Sequence, residues 1–378
     1  MERMVGPSCY LCGDGPYITV LDQKAINVWT NAGDGVSRAV RMPCVLRQCR
    51  CCGHIYQPLN DVLRDALREI YSSTQAKLST SMGKGNWGVE RGQDFLKIFL
   101  GMVNIKDHDS VLEIGCDDGY LLKAIKDRGG RNLAGIEPSL AATLEVEGIT
   151  LMKGFAQEDL VLSRQYSLIF ASSVFEHIED MNGIMRFCVK NLKPGGELYF
   201  SVPNAGKYID EGDPALFTHQ HVQYFTEHSV RWLLGRYGFK VKAVVKDKDS
   251  LEVLGQLTGS AASSSPEVLL RTDYEQKLAL VLAKVRQILE KPSVIVHAAN
   301  NALNNILGWI DKDFDFTLVD NDATKHGKRY FGKVVRSLDS LALDRYATVL
   351  IVPNAFRAAI RASYQQRHFS GAIEDLSV

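Results

Sequence analysis

The stretch Val111-Leu-Glu-Ile-Gly-Cys-Asp-Asp-Gly119, running on into Tyr120-Leu-Leu-Lys-Ala-Ile125, constrains the fold more than any other part of the chain. Its first four residues read as a buried strand, and the spacing of Leu121, Leu122 and Ile125 reads as a helix packing back on that strand. Glycines at 115 and 119 permit a tight turn between the two, where a ligand meets bare backbone at a helix N-terminus. The same alternation continues from Phe95 to Val245. Strands are predicted at Val111–Ile114, Leu133–Ile136, Ile149–Met152, Ser167–Ala171, Glu197–Val202 and Phe239–Val245, with a further possible strand at Leu251–Leu257. Such alternation gives a mainly parallel sheet covered by helices, with its ligand crevice at the carboxyl ends of the strands.

Three strand ends then carry chemistry. The first holds Asp117 and Asp118 inside the turn. Two carboxylates there repel a pyrophosphate and suit a cation, which favours S-adenosylmethionine over NAD. The second ends in Glu137-Pro138, 22 residues after Gly115, where a carboxylate reaches both hydroxyls of a ribose. The fourth ends Ala171-Ser-Ser-Val-Phe-Glu-His177 and floors the pocket, with His177 read as a packed or capping residue. Lys193-Pro-Gly-Gly196 reads as a structural turn feeding the next strand.

The chain has 378 residues, enough for two or three domains. Lys+Arg and Asp+Glu balance at 44 each, so bulk charge makes no case for nucleic acid or an anionic membrane as partner. No signal-peptide pattern and no apolar run near membrane-span length are present in the sequence, and the expectation is a soluble, cytoplasmic protein. Six of the eight cysteines fall between Cys9 and Cys52. Cys9-Tyr-Leu-Cys12-Gly and Cys49-Arg-Cys-Cys52-Gly are paired C-x2-C-G knuckles, whose four thiolates make the tetrahedral set of a closed structural zinc site. Cys44 and Cys51 are spare, although Cys51 could replace a neighbouring ligand.

Elsewhere, Asp61 to Tyr71 reads as a short helix, while Tyr71-Ser-Ser-Thr and Ser79 to Gly88 read as a loop that is either a lid or a linker. The 259–266 stretch reads as a flexible joint, and Pro266 to Lys291 as a long amphipathic helix. Val294-Ile-Val-His297, Leu318-Val-Asp320 and Thr348–Val352 then outline a small α/β unit of Rossmann type.

Leu112-Glu-Ile-Gly-Cys-Asp-Asp-Gly119, Gly135-Ile-Glu-Pro138 and Leu192-Lys-Pro-Gly-Gly196 resemble the class I S-adenosylmethionine-dependent methyltransferases. With its cysteine module and C-terminal unit, the chain resembles more narrowly the sugar C-methyltransferases that act on nucleotide-linked keto-sugars. The resemblance implies a Rossmann-like class I methyltransferase core of the α/β class, an N-terminal zinc-binding module and a small C-terminal α/β domain. The expected divisions are 1–75 for the module and connecting helix, 76–258 for the methyltransferase domain, 259–291 for linker and long helix, and 292–378 for the last domain. Cofactor contacts are expected from Glu113, Gly115, Cys116, Asp117, Gly119 and Tyr120, then Glu137 and Pro138, then Phe155, Ala156 and Ser172. Zinc is assigned to Cys9, Cys12, Cys49 and Cys52.

The segment Thr218-His-Gln-His221 aligns with the family's Tyr-His-Glu-His element, whose last histidine is the proposed base. His221 is therefore expected as general base with His219 and Gln220 beside it, and Tyr71, Asn204 and Tyr224 as substrate contacts. Two histidines so spaced face the same way only if the segment is extended. Thr218 and Gln220 depart from the family's tyrosine and glutamate, Asp117 from its usual glycine or asparagine, and Asn300 and Asn301 stand near its basic residue and glycine. The expected partner is a nucleotide-sugar substrate and the expected state a monomer or homodimer. Methylation at oxygen or nitrogen, a non-catalytic metal-stabilised scaffold and, more weakly, an NAD-dependent oxidoreductase are the alternatives. The C-terminal unit either packs the nucleotide end of the substrate or closes the cleft.

Overall fold

A computed structural model describes residues 9–13, 15–27, 41–72, 81–260, 267–310 and 312–378. In chain order, β1 (Tyr17–Asn27), β2 (Arg41–Cys49) and β3 (Ile55–Tyr56) lead into α1 (Asp61–Ser72) and α2 (Gly85–Met102). Then come β4 (Val111–Ile114), α3 (Tyr120–Lys126), β5 (Leu133–Glu137), β6 (Leu144–Val146), β7 (Ile149–Lys153), β8 (Tyr166–Ser172), α4 (Met181–Asn191) and β9 (Leu192–Pro203). Next are α5 (Ala205–Glu211), β10 (Gln223–Tyr224), α6 (Glu227–Arg236), β11 (Phe239–Asp247) and β12 (Ser250–Leu257). The remainder is α7 (Tyr274–Leu289), β13 (Val294–His297), α8 (Asn301–Ile310), β14 (Thr317–Val319), a small hairpin of β15 (Arg329–Tyr330) and β16 (Lys333–Val334), β17 (Thr348–Ile351), α9 (Arg357–Gln366) and β18 (Ala372–Asp375).

The central sheet has the order β11-β12-β9-β8-β4-β5-β7-β6, parallel from β9 to β7 and antiparallel at both edges. The strands Val111–Ile114, Leu168–Ala171 and Leu198–Phe200 are buried on both faces, as parallel strands covered by helices must be. Phe95, Leu96 and Phe99 of α2 cover one face with Phe170 and Tyr199, while Ile184, Phe187 and Cys188 of α4 cover the other. Helix starts follow their local chemistry. Asp180 accepts from Gly183 N at 2.8 Å, and Thr226 and Ser229 form a reciprocal capping box at α6.

Three expectations shift. Lys193–Gly196 is not a free turn but a bulge inside β9: pairing passes from Tyr166↔Leu192 directly to Leu168↔Glu197, with Gly195 in the left-handed region at φ +75°. The long helix begins at Tyr274 rather than Pro266, because the Gln48 side chain donates to Leu269 O at 2.9 Å and accepts from Arg271 N at 2.8 Å. Those bonds hold the preceding backbone outside a helix. Gly85–Gly88, expected in a loop, is the first turn of α2.

A second sheet, β1-β2-β3-β10, is antiparallel and joins the N-terminal hairpin to β10, deep in the middle of the sequence. The long excursion between the cysteine knuckles is this hairpin. Its apolar residues Val20, Leu21, Ile26, Cys44 and Leu46 share one core with Leu278, Val281 and Val285 of α7 and Leu303 and Ile306 of α8. Arg41 donates to Gly308 O at 2.7 Å, and Asp22 N to Glu275 Oε1 at 2.9 Å, so the two ends of the chain are also tied by polar contacts. The third sheet, β14-β13-β17-β18, is parallel throughout. Its strand ends face α2, with Trp87 edge-on to Phe356 at 4.8 Å and Asn86 donating to Asn321 O at 3.1 Å. No helix among the described residues is long and apolar enough to cross a membrane.

At the end of β13 the His297 ring is buried 3.1 Å from Tyr364 OH, and burial pulls its pKa down to about 4. An unfolded histidine titrates near 6.5. Between those values the unfolded chain binds the proton and the folded chain does not, so stability is lost as pH falls below 6.5. By pH 5 this one group should contribute a loss of roughly 2 kcal/mol. Denaturant unfolding at pH 7 and pH 5 checks this: the acid-induced loss should be smaller in His297→Asn than in the parent, and equal losses would refute it.

Candidate active site

The carboxyl ends of β8, β4 and β5 lie side by side, and the residues after them build one crevice. After β4 the backbone turns through Gly115 (φ +78°), Asp117 (φ +46°) and Gly119 (φ +80°), left-handed conformations that glycine adopts without strain and aspartate tolerates. Gly115 N and Cys116 N both donate to Ile136 O, at 2.8 and 3.3 Å, which pins the turn to β5. A Cβ on Gly115 would lie 2.4 Å from Val174 Cγ2, so the turn also needs glycine to pass the loop after β8.

Glu137 closes β5. Its Oε2 accepts from Asp117 N at 3.2 Å and its Oε1 from Ser139 N at 2.9 Å, so the carboxylate is held rigidly at the crevice edge beside exposed Pro138. Lys84 Nζ sits 3.7 Å from Asp117 Oδ2 and 3.5 Å from Asp118 Oδ2. One lysine among three carboxylates leaves the mouth acidic. Beneath it Glu113 is buried, with no hydrogen bond to Oε2 among the described residues; burial first, and repulsion from Glu137, Asp117 and Asp118, push its pKa well above the usual carboxylate range. The Cys116 thiol points into the core against Gly135, and its carbonyl accepts from Gly119 N at 2.8 Å to close the turn. The Tyr120 ring fills the space beside Gly83 and Gly92 and seats α2 on the turn. Phe155 is exposed and Ala156 half-buried beyond β7, while Ser172 at the end of β8 has a buried hydroxyl with no hydrogen-bond partner among the described residues.

The histidine segment departs from the extended form expected. His221 N bonds Thr218 O at 3.2 Å, closing a turn, and the Tyr224 hydroxyl locks it by accepting from Thr218 N at 3.2 Å and donating to Thr218 O at 2.9 Å. The two imidazoles therefore diverge. His219 Nε2 lies 3.2 Å from Pro43 O of the hairpin, whereas the His221 ring faces His177, edge-on at 5.0 Å. The Gln220 carbonyl lies 2.9 Å from His177 Nδ1, which makes that nitrogen the N–H and leaves Nε2 with its lone pair. Burial, and then His177, hold the His221 pKa well below its ordinary value, so its ring is neutral at pH 7. Glu176, also buried, is pushed up to about 8 by burial.

Of the other expected substrate contacts, Asn204 caps α5 by accepting from Lys207 N at 3.3 Å. It lines a separate cavity of about 380 Å³ bounded also by Lys207, His228, Lys246, Lys248 and Arg271. The cations there are already matched: Lys207 to Asp249 at 2.5 Å, Lys246 to Glu227 at 2.9 Å, Lys248 to Asp94 at 2.6 Å, and Arg271 to Asp210. Tyr71 closes α1, but its side chain and residues 73–80, the core of the expected lid, lie outside the described residues.

The four cysteines do converge. The sulfurs of Cys9, Cys12, Cys49 and Cys52 all lie within 4.8 Å of one another, with Cys9–Cys52 and Cys12–Cys49 at 3.5 Å. Zinc–sulfur bonds of about 2.3 Å in a tetrahedron would put sulfurs about 3.8 Å apart, so the cluster suits such an ion. Cys44 instead donates to Gln57 Oε1 at 3.5 Å, and Cys51 is exposed. From β3's end, Gln57 Nε2 donates to the carbonyls of both His219 (3.0 Å) and His221 (2.9 Å). Together with the β3–β10 pairing, that bond makes the cysteine hairpin the support of the histidine turn. Gln57, Lys84 and Arg91 are not legible in the sequence as candidate site residues, since each meets the histidine turn, the acidic turn or the end of β8 only through long-range packing.

Residues 90–244 match the family model described as a methyltransferase domain. The C-methyltransferase NovU of Streptomyces niveus is 23% identical over 258 residues, covering 64% of this chain and 58% of that protein. The ubiquinone biosynthesis O-methyltransferase of Pseudomonas syringae pv. syringae is 30% identical over 103 residues, covering 25% of this chain and 44% of that protein. The chain thus spans about half the length of these curated relatives. Among solved structures, the N-methyltransferase NodS from Bradyrhizobium japonicum WM9 in complex with S-adenosyl-L-homocysteine is 17% identical, with a TM-score of 0.36, over 52% of this chain and 99% of that one. The segment 90–244, which holds the acidic turn, Glu137 and His221, is the part that matches the methyltransferase-domain model.

Proposed function

We propose that the chain is an S-adenosylmethionine-dependent methyltransferase acting at carbon on a nucleotide-linked keto-sugar, with His221 as general base and one structural Zn2+ on Cys9, Cys12, Cys49 and Cys52. The observation that carries this reading is that the loop after β8 lies against the acidic glycine turn at Val174 and against a neutral imidazole, His221, at His177, while Glu137 holds the other side of the turn. S-adenosylmethionine, when bound, supplies a methyl group already activated on a sulfonium. The protein's work is then alignment, which contributes up to about 7–11 kcal/mol in well-oriented reactions, and removal of a proton. Asp117 and Asp118 favour the cationic ligand, Glu137 binds the ribose diol, and His221 takes the proton from the carbon beside the ketone. A relative matched over 258 residues, a C-methyltransferase, supports carbon as acceptor, and the paired cysteine knuckles support the zinc.

Calorimetry with S-adenosylmethionine, S-adenosylhomocysteine and NAD, followed by transfer of a labelled methyl to a panel of nucleotide sugars and its location by NMR, tests the proposal. Binding of NAD alone would sink it; methyl found on oxygen would move His221 to deprotonating a hydroxyl. Glu137→Ala should weaken S-adenosylhomocysteine about 10- to 100-fold, the worth of hydrogen bonds to a charged group. Unchanged affinity would remove Glu137 from the ribose.

A further inference from the structure

The loop after β8 and the histidine turn are clamped together through their backbones. Val222 N donates to Glu176 O at 2.8 Å, and the His177 ring donates from Nδ1 to Gln220 O at 2.9 Å. The clamp gathers three side chains. The ligating atoms of Glu176, His177 and His221, one from each, all lie within 4.8 Å of one another. His177 Nε2 stands 3.9 Å from Glu176 Oε1, and the two imidazoles meet edge-on with centroids 5.0 Å apart. His219, on the same turn, faces away to Pro43 O and takes no part.

Two features mark this cluster as a ligand set rather than packed core. Glu176 is 1% exposed, and its Oε2 has no hydrogen-bond partner among the described residues. A carboxylate removed from water is costly unless something matches it, and a cation is the natural match. The second feature is the tautomer of His177. An imidazole that ligates a metal through one nitrogen characteristically donates its other N–H to a carbonyl or carboxylate. The bond to Gln220 O does that here, with Nε2 turned toward Glu176. Ligand bonds of about 2.0–2.2 Å bring donor atoms about 3.3–3.5 Å apart on a tetrahedral ion, a closure that side-chain rotation supplies. Two imidazoles and one carboxylate suit a divalent transition-metal ion of the zinc class rather than Mg2+ or Ca2+, and three protein ligands leave a position open.

We infer that Glu176, His177 and His221 form a metal site separate from the cysteine cluster, and that a divalent ion bound there stops turnover by occupying the His221 nitrogen that takes the proton. The inhibition rests on the proposed role of His221; the binding does not.

The test titrates the protein, as isolated, with Co2+, followed by absorption and calorimetry. One equivalent per chain should bind with weak visible bands and without the intense thiolate-to-cobalt band that the cysteine cluster would give, and Zn2+ should displace it. Glu176→Gln should weaken this binding by about 100-fold or more, since even the outer-shell partners of a ligand are worth about 10- to 100-fold. His177→Gln supplies the same comparison if that variant fails to fold. In the methyl-transfer assay Zn2+ should inhibit the wild type, a chelator too weak to strip the cysteine site should restore it, and Glu176→Gln should resist the inhibition. Cobalt held by thiolates alone, or bound by the variants as tightly as by the wild type, would overturn the site. Binding that leaves turnover unchanged or raises it would overturn the inhibition. If no acceptor is methylated even without added metal, the methyltransferase proposal fails, while the cobalt titration still decides the site.

Discussion

Replacing His221 with alanine should lower turnover by roughly 10²–10⁴-fold, the usual worth of a positioned general base, while the affinity for S-adenosylhomocysteine stays within a factor of about two. The separation is built into the fold. His221 stands on the turn after α5, supported from Gln57 and Tyr224, whereas the cofactor turn is held by β4 and β5. The pH profile gives an independent reading. Burial and His177 keep the His221 pKa well below its ordinary value, so the base is unprotonated at neutral pH. The rate should be flat from pH 8 down to about 6.5 and fall only below that, as the imidazole takes up its proton. A low-pKa imidazole is a weaker proton acceptor, which is adequate for a carbon acid activated by an adjacent ketone. An inflection above pH 7, or a His221→Ala enzyme with unchanged turnover, would remove the residue from this role.

Loss of the metal should be the larger structural event. Cys49→Ser is expected to lower the zinc content from one per chain to below stoichiometric binding, to lower the melting temperature and to lower turnover with it. Structural zinc contributes about 10–16 kcal/mol in zinc-finger peptides, comparable to the whole stability of a typical domain. The damage should reach catalysis because Cys49 ends β2, β2 pairs β3, and β3 pairs β10, immediately after His221. The acidic turn is pinned instead to β5, so cofactor affinity measured below the melting temperature should fall less than turnover. Elemental analysis, thermal melting and calorimetry on the same preparations decide the matter. A metal-free protein with unchanged melting and turnover would refute both the zinc and its coupling to the histidine turn.

What the sequence made legible follows from the range of the forces involved. The strand–turn–helix at 111–125 is specified by local periodicity and two glycines, and it appears as expected. The cysteine knuckles likewise place pairs of sulfurs by local turns. The divergence of His219 from His221 depends on a tyrosine hydroxyl and on Gln57, which lies more than 160 residues away. No periodicity encodes that. The delayed start of α7 is set by Gln48, still more distant along the chain. Arg91 looks like any helix-surface cation until Trp87 and Phe95 fix which face it occupies.

The hairpin that shares its core with α7 and α8 also sets a schedule for synthesis. Val20, Leu21 and Leu46 leave the ribosome early, while the helices that cover them begin only at Tyr274. At roughly 5–20 residues per second, that apolar face waits about 10–50 s for its cover. During that wait the nascent chain depends on whatever holds the hairpin shut, and the four-cysteine clasp at its base is complete by Cys52. On the proposed zinc assignment, metal supply during translation would govern how much of this protein reaches its native state.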